Sequence, residues 1–207
     1  PQDTLPAYHA ARSEEPLSGV TLSSLKALQE KYRVSASKAL GQNFLIDPNI
    51  PRKIASLIKG KSVIEVGPGI GSLTVALALN LDNVIAIEYD KHILEPLFDV
   101  LGKFKVENKI RVLNEDVMKV DLEKLCVDNN ISTIVGNLPY NISATLLANI
   151  ARYVPSADLV VAMVQKEVGE RFGAQQKTRA VSSVTLKTQL FMEVNLEFGV
   201  SRQSFVP

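Results

Sequence analysis

Tryptophan is absent from this sequence of 207 residues, cysteine occurs once and histidine twice. The lone thiol, Cys126, excludes an intrachain disulfide and any zinc site built from several cysteines, and no metal is expected. One cysteine suits a reducing, cytoplasmic compartment. An organelle stands as the alternative, because the sequence opens on Pro1 and any leader peptide lies out of view. No apolar run approaches the roughly 20 residues of a membrane-spanning helix, so no membrane partner is expected. Nor does either sign of charge dominate: 23 Lys and Arg against 22 Asp and Glu leave a net charge of +1. The basic excess with which many nucleic-acid binders meet phosphate is missing, so such binding would need positive charge gathered on one face or supplied from outside this sequence. What is present, 46% hydrophobic and 22% charged residues, suits one globular domain with a sizeable core.

Residues 1 to about 20 are polar, punctuated by Pro1, Pro6, Pro16 and Gly19, and carry too little apolar surface to offset ordering entropy. Leu22, Leu25, Leu28 and Tyr32 then recur at helical spacing, with Ser23 or Ser24 as caps. A helix is also expected around Ile54 to Ile58, over Ser72 to Leu81, through Leu94, Leu97 and Leu101, over Leu146 to Tyr153, and over Ser182 to Leu190. Between them lie short apolar, β-branched runs: Ser62–Val66, Asn83–Ile87, Ile110–Leu113, Thr133–Val135 and Leu159–Val164, with a late strand over Glu193–Phe198. Strands apolar throughout and alternating with helices indicate an open, doubly wound α/β fold, its mostly parallel sheet covered on both faces. Ligands of such sheets bind beyond the carboxyl ends of the strands.

The strand ends carry the chemistry. After the first comes Glu65-Val66-Gly67-Pro68-Gly69-Ile70-Gly71, whose glycines permit a sharp turn and close approach of a ligand to the main chain. Its spacing is not the G-x-G-x-x-G of pyrophosphate-binding folds, and taken alone it is equally a tight strand-to-helix turn. The second strand ends at Glu88, placed to accept hydrogen bonds from both hydroxyls of a ribose. Glu115-Asp116 follow the third strand, where a carboxylate can read an adenine amino group. Together these describe a nucleoside pocket without separating S-adenosylmethionine from a nicotinamide dinucleotide. The fourth strand decides between them by running into Gly136-Asn137-Leu138-Pro139-Tyr140. An exocyclic adenine amine is a poor nucleophile because its lone pair is delocalised into the ring. An Asn oxygen and a main-chain carbonyl that accept its two hydrogens draw the nitrogen towards tetrahedral geometry and aim the lone pair. Pro139 stiffens the turn and Tyr140 offers an aromatic face to a base turned out of its stack.

With these motifs in this order, the sequence resembles the ribosomal RNA adenine N6-dimethyltransferases of the KsgA type, whose relatives include the erythromycin-resistance methylases and mitochondrial transcription factor B. The resemblance covers Lys38 to Pro207 and rests also on Gly41-Gln42-Asn43-Phe44-Leu45, Asn141-Ile142-Ser143, Gln165-Lys166-Glu167-Val168 and Phe205-Val206-Pro207. It implies a Rossmann-like class I methyltransferase domain over 38–207, preceded by a partly mobile extension over 1–37 with one short helix. The cofactor implied is S-adenosylmethionine, contacted by Asn43, Leu45, Glu65, Gly67, Gly69, Glu88, Asp116 and Asn137. Asn137 would sit beside the transferring methyl, Leu138 would give the carbonyl, Pro139 the turn, Tyr140 one stacking face and Phe205 the other. The implied reaction is dimethylation of two adjacent adenines near the 3′ end of small-subunit rRNA, by a monomer acting on that RNA or on the pre-ribosomal small subunit. A large-subunit resistance methylase and a non-catalytic nucleic-acid-binding factor are the alternatives. Family members continue after Phe-x-Pro into a helical rRNA-holding domain, expected to be absent here because the sequence stops at Pro207. Where the family tends to carry Tyr-Gly after a lysine, this chain has Lys177-Thr178-Arg179-Ala180. Arg33, Lys38, Arg52, Lys53, Lys166, Lys177, Arg179 and Arg202 are candidate phosphate contacts.

Overall fold

The computed structural model describes residues 20–35, 41–174 and 183–206. The expectations for residues 1–19, Lys38, Lys177, Arg179 and Pro207 lie outside these. Five strands form one wholly parallel sheet: β2 (Ser62–Val66), β3 (Asn83–Ile87), β4 (Ile110–Leu113), β5 (Thr133–Asn137) and β6 (Leu159–Met163), in the order β4-β3-β2-β5-β6. The chain winds outward from β2 through β3 to β4, then returns to lay β5 against the other side of β2. That reversal makes the β2/β5 junction the switch point where a crevice must open. A separate two-stranded ladder pairs β1 (Phe44–Leu45) antiparallel with β7 (Phe205–Val206), Leu45 opposite Phe205.

Alternation along the strands sends side chains to two cores. Val63, Val84 and Val135 pack in one hydrophobic cluster with α1 (Leu22–Tyr32), α2 (Asn49–Ser56), α3 (Ser72–Asn80) and α4 (Leu94–Phe104). Ile64, Val66, Ile85, Ile87 and Ile134 pack in the other with α5 (Leu122–Asn129) and α6 (Ser143–Tyr153). Helix α3 is buried from Ser72 to Ala78, which is why it is apolar all round. The helices α7 (Lys166–Phe172) and α8 (Ser183–Gln189) complete the described chain, Gln189 Nε2 donating to the carbonyls of Phe172 and Ala174.

The doubly wound parallel reading holds, with corrections in detail. Helix α1 is capped by Thr21 and not by Ser23 or Ser24. Thr21 Oγ1 accepts from the Ser24 amide at 3.3 Å while Ser24 Oγ accepts from the Thr21 amide at 2.8 Å, a reciprocal capping box. Its Leu25 and Leu28 are buried in the core, so the described part of residues 1–37 packs with the helices beside the sheet. Segment 193–198 is not a strand. Val194 and Phe198 are half-buried, but Leu196 between them is exposed, the segment has no ladder partner, and Lys53 Nζ lies 3.8 Å over the Phe198 ring instead. The late strand is β7. Helices α5 and α7 went unexpected because they bury only Leu122 and Cys126, and Phe172, stripes too thin to read as a period.

Two core positions carry testable consequences. A Cβ added to Gly136 would sit 2.4 Å from the carbonyl oxygen of Val66 on the adjoining strand, backbone against backbone. Gly136→Ala is expected to cost about 1–3 kcal/mol in denaturant unfolding, as overpacking does. Glu65 is fully buried, and desolvation, helped by the nearby negative charge of Glu88, pushes its carboxyl up from 4.5 to about 8. The Thr74 hydroxyl offsets part of this, although neither it nor either Glu65 oxygen completes a hydrogen bond of good geometry. Above its ordinary value the unfolded chain releases a proton that the folded protein keeps. Stability contributed by the neutral carboxyl is therefore whole in acid and declines as pH rises to about 8. Glu65→Gln should flatten that decline in unfolding curves measured across the interval.

Candidate active site

A cavity of about 350 Å³ opens at the switch point, within the ~300–1,000 Å³ usual for small-molecule sites. Its walls are the turns after β2, β3, β4 and β5, together with the segment that leads into β1. The sequence places polar groups at strand ends, and the parallel register aligns those ends on one edge of the sheet: Val66 pairs with Ile87 on one side and Gly136 on the other.

The turn after β2 bends through Gly67 (φ 71°), Gly69 (φ 55°) and Gly71 (φ 91°), left-handed conformations that a side chain would strain. A Cβ at Gly67 would also project to within 3.6 Å of the Asn137 carbonyl oxygen. The glycines thus keep the floor of the cavity bare.

Glu88 is buried at the cavity wall and oriented by the main chain. Its Oε2 accepts from the Gly69 amide at 3.1 Å and its Oε1 from the Asp90 amide at 2.8 Å. Burial raises its proton affinity above the ordinary carboxylate value, while the Asp90 and Gly69 amides pull it back. A carboxylate fixed this way still has lone pairs to offer two vicinal hydroxyls. The next wall is Asp116, whose Oδ1 takes the Met118 amide at 3.0 Å in a local turn, with Val117 buried beside it.

Asn137 closes β5. Its Nδ2 donates to the carbonyl of Asn43 at 3.2 Å, which directs Oδ1 the opposite way. In the following turn the Pro139 carbonyl is taken up by the amides of Ile142 and Ser143, at 3.2 and 3.1 Å, at the start of α6. The Leu138 amide donates to the Met163 carbonyl at 3.0 Å, and its side chain is buried. The Leu138 carbonyl takes no part in that turn. Tyr140 is 43% exposed on the cavity rim. Gly41 (φ 64°) lies so close behind that an added Cβ would stand 3.2 Å from the Tyr140 amide nitrogen.

The structure therefore gathers Asn43, Leu45, Gly67, Gly69, Glu88, Asp116, Asn137, Leu138, Pro139 and Tyr140 around one cavity. Two expected residues stand outside its lining. Glu65 shares the parity of Val63 and is fully buried within β2, coupled to the cavity wall through the charge of Glu88. Phe205 is half-buried in β7, directly opposite Leu45 in the ladder. Wall residues to which the sequence reading assigns no site role include Gln42, which donates to Asp90 at 3.2 Å, the exposed Tyr89, and Ser72. Asn114, below the wall, donates to the Glu88 carbonyl at 2.7 Å. Nothing in the spacing of single polar residues marks these. Their positions follow from adjacency to the strand ends.

The amino-acid sequence has relatives that agree with this geometry. The family model described as ribosomal RNA adenine dimethylase matches residues 33–207. Ribosomal RNA small subunit methyltransferase A of Staphylococcus epidermidis is 40% identical over 195 residues, 90% of this chain and 64% of that protein. The enzyme of the same name from Enterococcus faecalis is 37% identical over 194 residues, 90% of this chain and 65% of the relative. The chain thus spans just under two thirds of these relatives. Among solved structures, a dimethyladenosine transferase from Plasmodium falciparum aligns with TM-score 0.59 and 28% identity over 71% of this chain and 52% of that one. An O-methyltransferase fold from Klebsiella pneumoniae aligns with TM-score 0.56 and 13% identity over 88% and 80% of the two chains. A class I methyltransferase sheet, a nucleoside-sized crevice at its switch point and a family match over most of the length converge on one assignment: the chain belongs to the ribosomal RNA adenine dimethylase family.

Proposed function

We propose that the protein containing this chain uses S-adenosylmethionine to place two methyl groups on N6 of each of two adjacent adenines near the 3′ end of small-subunit rRNA, in the free RNA or the pre-ribosomal small subunit. The observation that carries the reading is the Asn137 amide, tethered through its nitrogen and offering its oxygen beside a nucleoside-sized cavity. In this proposal residues 38–207 are the catalytic domain, 1–37 an extension, and the surface that grips the rest of the RNA lies in a helical domain outside this sequence. Such a division accounts for a net charge of only +1 in a chain that must meet a polyanion. The proposal places the protein on cytoplasmic ribosomes, acting as a monomer; among the described residues no helix is long and apolar enough to cross a membrane.

The residues present suit the cofactor: bare glycine backbone for its methionine part, Glu88 for the ribose, Asp116 for the adenine amine, and Asn43, Leu45 and Asn137 along the wall. When bound, S-adenosylmethionine supplies a methyl group already activated on a sulfonium. The protein's own task is to make the target amine nucleophilic. Asn137 Oδ1 and the Leu138 carbonyl accept the two N6 hydrogens, and the lone pair is thereby turned out of the ring and into line. Tyr140 holds one face of the extruded base by stacking, with Phe205 assigned to the other. No strong base is needed, since the proton leaves readily once nitrogen carries positive charge. For the second transfer the remaining N6 hydrogen must be held by one of the same two acceptors.

Asn137→Ala in the full-length protein is expected to lower transfer of labelled methyl groups to immature small subunits by at least about a hundredfold, the loss of one preorganised acceptor. Its affinity for S-adenosylhomocysteine should change far less. Wild-type turnover in that variant, or methyl groups mapping to large-subunit RNA, would overturn the reading. A second expectation concerns Glu88. Its ionised form accepts both ribose hydroxyls, and burial has raised its pKa. Affinity for S-adenosylhomocysteine should therefore fall on acidification, beginning above the ordinary carboxylate range of about 4.3. Glu88→Gln should bind about tenfold more weakly at neutral pH and lose that acid limb, which titration calorimetry at several pH values checks.

A further inference from the structure

Residues 41–46 cross the cavity as a strap between the catalytic turn, the glycine turn and β7. The two edges of an extended segment are chemically distinct, because successive main-chain groups point to opposite sides. On the outer edge the Ile46 amide donates to the Ser204 carbonyl at 2.9 Å, continuing the β1–β7 register in which Phe44 faces Val206. On the inner edge the carbonyls of Asn43 and Leu45 accept from side chains of the cofactor fold. Asn137 Nδ2 takes the first at 3.2 Å, and Ser72 Oγ takes the second at 2.6 Å, a buried hydrogen bond. A serine in the first turn of a helix commonly caps its own backbone. Ser72 does not: the N-cap position of α3 is Gly71, and the Ser72 hydroxyl is spent on the strap.

We infer that Ser72 is a positioning residue that, through the Leu45 carbonyl, holds the strap at the spacing required by the cofactor wall on one edge and by Phe205 on the other. The inference rests on the function proposed above for what the wall and Phe205 do, but the tether itself is a property of the ligand-free fold. Three features make the strap depend on it. The ladder to β7 is two residues long, too short to define a position alone. Phe44 is buried in the core and packs over Gly69, where a Cβ would meet its ring at 3.9 Å, an apolar contact that holds no main-chain polar group. Asn137 is anchored at the end of β5, but its carboxamide turns about its own side-chain torsions and so fixes the strap less firmly than the short Ser72 hydroxyl does. Ser72 alone reaches the strap from a buried helix, with both the donor and its carrier fixed. A shift of the strap would move Asn43, Leu45 and Phe205 together and release the Asn137 amide.

The test uses the whole 207-residue chain with Ser72→Ala, the near-isosteric Ser72→Cys, whose thiol is a weak donor, and Ser72→Thr, which restores the hydroxyl. Amide hydrogen exchange is read without ligand, and S-adenosylhomocysteine affinity by calorimetry. In the alanine and cysteine variants, exchange should quicken at residues 43–46 and 204–206 while β2, β3 and β5 keep wild-type protection, and affinity should fall about tenfold through loss of a buried hydrogen bond. Threonine should restore both. Wild-type exchange at the strap in the cysteine variant, which keeps the side-chain volume and so preserves the fold if alanine does not, overturns the inference. So does acceleration spread evenly over the sheet, the mark of a merely structural residue. Failure of the wild-type chain to bind S-adenosylhomocysteine at all would instead sink the proposed cofactor, with the exchange measurement still deciding the tether.

Discussion

A carboxamide has a donor end and an acceptor end, and fixing one fixes the other. Most of what this fold can do at its catalytic edge follows from that constraint at Asn137. The Asn43 carbonyl accepts only, so it selects the nitrogen, and the oxygen faces away from the strap. Had a main-chain amide stood where that carbonyl stands, the same asparagine would present two donors and could not draw hydrogens from an amine. The hydrogen-bonding character of the site is therefore set partly by a segment almost a hundred residues upstream. Residue 137 is where it is because β5 lies beside β2, and residue 43 is where it is because β1 is anchored to α3 and β7.

Two glutamates near this edge show how position decides chemistry for identical side chains. Glu65 and Glu88 sit on neighbouring strands and are both buried. Glu88, just past the end of β3, meets two amides of turning backbone, and these partly compensate its loss of water. Glu65, inside β2, faces α3, where the backbone amides are committed to the helix and only Thr74 is at hand. The first is held ready to serve as a carboxylate. The second is kept neutral near pH 7, and the charge of Glu88 makes its ionisation harder still. A negative charge at Glu88 is easier to maintain because Glu65 stays protonated.

The sheet was legible because its signal is redundant. Ser62–Val66 and Asn83–Ile87 are apolar on both faces, which only a strand covered by helices on both sides requires, and their limits coincide with the observed ones. The strand-end residues were legible for the same reason, since once the strands are placed, Glu88, Asp116 and Asn137 can occupy only one edge. The β1–β7 ladder was not. Two-residue strands carry no period, and their pairing joins positions separated by most of the chain, so nothing local records it. Segment 193–198 failed in the opposite direction: it has the period without a partner, and alternation alone cannot supply the hydrogen bonds that make a strand.

Those illegible parts are also where the fold has least redundancy. The parallel sheet is secured by five strands and two cores, so no single contact within it decides the geometry of the crevice. The strap and its partner strand have a handful of contacts, and each connects different elements: Asn43 to the Asn137 amide, Leu45 to α3, Ile46 to the segment that carries Phe205. A thin element with few, distinct contacts transmits displacement where a thick core would absorb it. Where the cavity wall and Phe205 share one such element, a change at either is felt at the other through the same carbonyls. The physical link between the cavity and β7 then lies in the strap, and the sheet serves as the frame against which it moves.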